Sequence, residues 1–156
     1  GQEMPKASLS YISQNPRSDL YYRYFKNNNP NAVASMFNAV ATGSSSWRTI
    51  DIDCSDPYGN CQSRGWVAYT LDPPVRNVPQ SDLCTGATSV DKRNVRGAIM
   101  LHELTHALNG TVDINRHGCP VDEQLDANVQ LRNADNYNCF AASVWKNTRC
   151  GVYDRS

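Results

Sequence analysis

Apolar positions recur along the chain in short one-sided sets, and most of the sets carry a helical period. Val33, Met36, Phe37 and Val40 stand at the i, i+3, i+4, i+7 positions of an amphipathic helix, which Asn29 and Pro30 open and Gly43 closes. Ahead of it, Ser18 and Asp19 introduce the aromatic set Tyr21, Tyr22, Tyr24 and Phe25, predicting a helix through Lys26 that the polar run Asn27 to Asn29 ends. Beyond Gly43 the pattern changes. Trp47 to Cys54 and Gly65 to Leu71 are β-leaning runs on either side of the turn between Cys54 and Cys61, and together predict a hairpin. Asp72 to Thr88 carries Pro73, Pro74, Pro79 and Gly86 and admits at most a short edge strand. Helical spacing returns at Asp91 and runs through Val95, Ala98, Ile99, His102 and His106 until Asn109 and Gly110 stop it. A loop leads to Cys119, and Pro120 starts another helix. Asn133 is expected to cap the last helix, with Tyr137, Phe140, Ala141 and Val144 as its buried face.

No repeat or linker divides the chain, so residues 1–156 are read as one domain with one site. Its 40% apolar content excludes disorder, and its apolar runs are too short to span a bilayer. Fifteen Lys and Arg offset fifteen Asp and Glu, so the chain lacks the basic footprint of a nucleic-acid or anionic-membrane partner. A monomer is expected. The cysteines Cys54, Cys61, Cys84, Cys119, Cys139 and Cys150 are even in number and form no C-x-x-C pair, which predicts three disulfides and an oxidising, extracellular compartment. Six cysteines allow fifteen pairings. Proximity favours Cys54 with Cys61 and Cys139 with Cys150, leaving Cys84 with Cys119. The chain begins at Gly1 without an apolar leader, so the expectation is a mature secreted form.

The helix predicted from Asp91 carries His102-Glu103-Leu104-Thr105-His106, an H-E-x-x-H pattern. Residues four apart share a helix face, so both imidazoles can ligate one zinc ion, with Glu103 beside them to take a proton from the attacking water. With three His and three Glu in the chain, chance produces this pattern on the order of once in a thousand shuffles. A third ligand is needed. The metzincin arrangement requires a histidine where Val112 stands and a methionine later than Met100, so it is excluded. Glu123, on a returning helix, is one candidate. Asp113 is favoured, because it follows directly on the turn at Gly110 that reverses the chain beneath the zinc helix. The blander reading of Asp113 is an Asx turn in a polar loop. Asn109-Gly110-Thr111 is also a glycosylation sequon, expected to be unused or directed outward.

His102 to His106 followed by Gly110-Thr111-Val112-Asp113 resembles the signature of the aspzincins, the fungal deuterolysin-like metalloendopeptidases. Tyr24-Phe25-Lys26, the Cys54 to Cys61 turn, Ala68-Tyr69-Thr70, Asn133 to Tyr137 and Phe140-Ala141 extend the resemblance across roughly residues 20 to 150. It implies an α+β, zincin-like fold, mostly helical with a small sheet and, with the cysteines, three disulfides. It further implies a secreted endopeptidase acting on protein or peptide substrates, with one zinc per chain held by His102, His106 and Asp113. The family pattern continues with a tyrosine that steadies the oxyanion. Here Arg116 occupies its place by count, or His117 if the loop is one residue longer, and either can donate a hydrogen bond. Asp135 matches an aspartate that, in lysine-selective members, is implied to line the pocket after the scissile bond. The position three residues on, where some members have a second acid, is Asn138, so a mild preference for basic residues is expected. The rival reading is a catalytically weak or inactive zinc-binding protein on the same scaffold.

Overall fold

The computed structural model describes residues 2–44, 80–114 and 118–151. The first segment holds α1 (Glu3–Gln14), α2 (Asp19–Phe25) and α3 (Pro30–Thr42). The second holds α4 (Ser81–Thr85), a 3₁₀ turn (Val90–Lys92) and α5 (Arg96–Asn109). The third holds the one-turn helices α6 (Cys119–Asp122) and α7 (Ala127–Gln130), then α8 (Ala134–Arg149). No helix among the described residues is long and apolar enough to cross a membrane.

Local chemistry sets the helix starts. The Ser18 hydroxyl accepts the Tyr21 N–H at 3.2 Å to open α2, and the Asn29 side-chain Oδ1 accepts the Asn31 N–H at 3.0 Å ahead of Pro30 to open α3. α1 has no counterpart in the sequence reading. Its buried face consists of Met4, Pro5, Ser8 and Ile12, and Ser8 can sit there because its hydroxyl donates to the Met4 carbonyl at 3.0 Å. The helix expected from Asp91 is interrupted. Val90 and Val95 are both buried, and Arg93, with φ of 49°, turns the chain between them so that α5 starts at Arg96.

α8 is the centre of the fold, packing against α1, α2, α4, α5, α6 and the 3₁₀ turn. Every residue from Ala134 to Val144 is buried, not one face alone. Phe140 is the hub of the core: its ring meets those of Tyr11, Tyr21, Tyr24, Phe25 and Phe37 at centroid distances of 5.3–6.3 Å. Such aromatic pairs add about 0.5–1.5 kcal/mol each beyond the area they bury. Asn133 stands at the start of α8 but makes no side-chain cap. Its amide instead donates to Asp122 and to Asn136, both at 2.8 Å, and Asn136 donates to the Tyr24 carbonyl at 2.8 Å. This buried polar knot fastens the beginning of α8 to α6 and α2.

Two expectations are corrected. The described residues contain no strand, and the bridge with both partners described is a parallel one between Val112 and Asn133, so the fold described is helical rather than α+β with a small sheet. The expected hairpin and Cys54 with Cys61 lie outside the described residues. Two disulfides are present among the described residues instead of three, Cys84–Cys150 and Cys119–Cys139, with Cα separations of 4.8 and 5.7 Å. The proposed Cys139 to Cys150 pairing fails for a geometric reason. α8 runs unbroken between these cysteines, and eleven residues at 1.5 Å each hold them about 16 Å apart, far beyond disulfide reach. Nearness in sequence misled because the chain there is rigid. Cys139, midway along α8, meets Cys119 on α6, and Cys150 at the helix end meets Cys84 on α4, so Cys84 with Cys119 is excluded as well.

Candidate metal centre

α5 delivers the two histidines. Their rings meet edge to face with centroids 4.7 Å apart, and their Nε2 atoms are 3.0 Å from each other. At Gly110, φ of 66° lets the chain reverse, and the Gly110 N–H caps the helix on the His106 carbonyl at 2.9 Å. Three residues later Asp113 returns to the same place. Its Oδ1 lies 3.0 Å from His102 Nε2 and 3.3 Å from His106 Nε2.

The loop that carries Asp113 is held on both sides. The Val112 N–H donates to the Arg132 carbonyl at 2.8 Å, and the Val112 carbonyl accepts the Ala134 N–H at 3.2 Å. The Ile114 N–H donates to the Asn133 side chain at 3.3 Å. Thr111 serves the histidines directly: its carbonyl accepts from His106 Nδ1 at 2.7 Å, which leaves Nε2 as the ring nitrogen turned toward Asp113. Its hydroxyl is 2.8 Å from that of buried Thr105, which donates to the His102 carbonyl at 2.7 Å. Behind His102, Nδ1 is 2.9 Å from Asp135 Oδ1, without a well-aligned hydrogen bond, and Asp135 Oδ2 is paired with Arg93.

Exposure rises across the three donors, from 13% for the His102 side chain to 21% for His106 and 51% for Asp113, so the group opens outward on the Asp113 side. Burial works against a charge on His102, but its close contacts with the Asp113 and Asp135 carboxylates and the nearby charge of Glu103 outweigh it and push its pKa up to about 10. Pairing with His102 in turn holds the Asp113 carboxyl below its ordinary range, against its own desolvation.

The donor set fits zinc. A tetrahedral ion with bonds of about 2.0–2.1 Å spaces its ligands about 3.3 Å apart. The three donor atoms here are separated by 3.0, 3.0 and 3.3 Å. A second cluster, Cys119, Asp122 and Cys139, is no metal site, because its two sulfurs are bonded to each other. Glu123 lies elsewhere, with its carboxylate 4.0 Å from Arg23. Glu103 follows His102 on α5 and is half-buried. Arg116 and His117 lie outside the described residues. Thr105, Thr111 and Arg93 escaped the sequence reading. The first two stood inside the quoted motifs, whereas nothing in the spacing of Arg93 marked it.

A sequence model of the family described as lysine-specific metallo-endopeptidase, the aspzincins, matches residues 11–142. The chain belongs to the aspzincin family. Among curated relatives, the neutral protease 2 homologs MEP5 and MEP6 of Coccidioides posadasii are 38% identical over 141 residues and 36% over 140 residues. Each alignment covers 81% of this chain and 38% of the relative. A neutral protease 2 homolog of Neosartorya fischeri is 35% identical over 142 residues, 83% of this chain and 30% of its own length. The chain thus spans less than two fifths of the length of these aspzincin relatives.

Proposed function

We propose that this chain is a zinc metalloendopeptidase that binds one zinc through His102, His106 and Asp113. The observation that carries the reading is the triangle of donor atoms 3.0–3.3 Å apart on the outward-opening side of α5, in a member of a metallo-endopeptidase family. Zinc, when bound, acidifies the water it holds and polarises the scissile carbonyl. Glu103, placed between the two histidines in sequence, takes the proton of the attacking water and hands it to the leaving amine. Thr111 fixes the tautomer of His106. His117, or Arg116 in its place, donates a hydrogen bond to the developing oxyanion. The substrates are proteins or peptides, as the names of the relatives suggest, and the two disulfides favour an extracellular setting. A preference for basic residues is not part of the proposal, because Asp135 already carries Arg93 and His102.

The test is zinc per chain together with cleavage of an unfolded protein, with and without a chelator, for the wild type and Glu103→Gln. We expect one zinc in both proteins, chelator-sensitive cleavage by the wild type, and a loss of about 10²–10⁴-fold in kcat for the variant. A variant that cleaves at the wild-type rate would overturn the role of Glu103. The missing family tyrosine favours one rival, a zinc-binding protein without turnover, and a zinc-loaded wild type that cleaves nothing would establish it.

A further inference from the structure

We propose that Asn109 carries an N-linked glycan whose first sugars lie in the groove beside α3. It rests on the extracellular setting proposed above and on nothing in the catalytic reading. The acceptor is the N-x-T sequon Asn109-Gly110-Thr111. Asn109 is the last residue of α5 and is exposed, and Gly110 turns the chain directly after it. Its side-chain nitrogen is set against Met36 Sδ, so the amide faces α3. Thr111 is buried, with its hydroxyl 2.8 Å from that of Thr105, so the sequon is open to a transferase only before the chain has folded. The donor in that step is a lipid-linked oligosaccharide pyrophosphate. The bond from Asn109 Nδ2 to the sugar C1 forms, the C1–O bond to the pyrophosphate breaks, and Nδ2 gives up one of its protons and keeps the other.

The surface that Asn109 faces supplies an independent indication. A groove of about 1110 Å³ runs there, and Ser35, Asn38 and Thr42 of α3 line it together with Leu131, Tyr137 and Asn109 itself. Sites of about 300–1,000 Å³ hold drug-sized ligands, so this one has room for the first two sugars. None of its described lining residues is charged, and none is a metal donor, so a sugar here leaves the donor triangle uncovered. The absence of charge is written into the sequence: no Lys, Arg, Asp, Glu or His stands between Lys26 and Arg48, although 19% of the chain is charged. The outer face of a surface helix ordinarily carries charges. Ser35, Asn38 and Thr42 are exposed, yet α3 has none. A glycan accounts for this, because it is bulky and neutral and solubilises the face it covers in place of charged side chains.

The test secretes the full chain from a yeast host beside Asn109→Gln and a reporter with an occupied sequon. Intact mass is read before and after a peptide N-glycosidase, and the Asn-to-Asp conversion left by that enzyme in heavy-oxygen water is located by peptide mapping. Coverage of the groove is read from thiol labelling of Ser35→Cys with the sugar present and after its removal, with Lys6→Cys on α1 as the control outside the groove. We expect a mass excess on the wild type that the glycosidase removes, none on Asn109→Gln, and labelling of Ser35→Cys slowed about tenfold by the sugar while Lys6→Cys is unaffected. A wild type secreted at its bare polypeptide mass by cells that modify the reporter would overturn the site. Equal labelling of Ser35→Cys with and without the sugar would overturn its place in the groove. Should Asn109→Gln fail to accumulate, the glycosidase-treated wild type supplies the sugar-free protein. A glycosylated protein that neither binds zinc nor cleaves would refute the protease reading and leave this one standing.

Discussion

Zinc uptake at neutral pH should expel about one proton from His102. In the metal-free protein the Asp113 and Asp135 carboxylates hold that imidazole charged, with its pKa pushed up to about 10, whereas a metal-ligating imidazole must be neutral. At pH 7 the group lies about three units below its pKa and is more than roughly 99% protonated. Apparent zinc affinity should therefore rise close to tenfold per pH unit from pH 7 to about 9, approaching 10³-fold, or about 4 kcal/mol, by pH 10. Titration calorimetry in buffers of different ionisation enthalpy counts the protons directly. Asp135→Asn separates this proton from any released by zinc-held water, because it withdraws one of the carboxylates that charge His102 and should lower the count near pH 8. Affinity that is flat between pH 7 and 9, or equal proton release from both proteins at every pH, would refute the reasoning. The same linkage governs folding without metal. A raised pKa means that the contribution of His102 is complete below about pH 6.5 and is lost as pH climbs through about 10, so the metal-free protein should melt at lower temperature in alkaline buffer. Asp113 is the same interaction seen from its partner. Its depressed pKa means its share is lost in acid, and being half-exposed it adds no separate energy.

Two further outcomes can be checked directly. His117→Ala should lower kcat by roughly 10²–10³-fold with KM little changed, and the same loss in Arg116→Ala instead would give Arg116 the oxyanion role. Replacing both Cys119 and Cys139 by Ser should cost about 3 kcal/mol for a bridge spanning 20 residues, a fall in Tm of roughly 6–12 °C, and a Tm within 2 °C of the wild type would contradict the pairing.

What the sequence disclosed was largely local. The caps of α2 and α3, the stop at Gly110 and the H-E-x-x-H face of α5 depend on residues within a few positions of each other, and they stand where spacing put them. Asp113 was reachable by the same kind of reasoning, since a short reversal leaves few places for the next carboxylate. Four features were not legible because they depend on distant partners. α1 interrupts the apolar face of Met4, Tyr11 and Ile12 with a buried serine, and the surface that this face meets is supplied by α3 and α8. The disulfides follow the packing of α4 and α6 on α8, which nearness in the chain could not reveal. Asn133 has the residue type of a cap, yet its side chain serves Asp122, Asn136 and Ile114, partners up to 19 positions away. Asp135 was noticed for its place on the last helix, but its engagement by Arg93, 42 positions earlier, is a tertiary fact.

The bridge between Val112 and Asn133 bears on the speed of metal exchange. An ion commonly leaves a protein when one ligand swings aside and water takes its place. Asp113 is the most exposed of the three donors and the obvious one to let go, yet the peptide before it is hydrogen-bonded to the chain at the start of α8 through both its N–H and its carbonyl. Releasing the carboxylate by more than a side-chain rotation means opening that rung, and the rung is continuous with the buried knot of Asn133, Asp122 and Asn136. The residence time of the ion is thereby tied to the local opening of a backbone contact that never touches it.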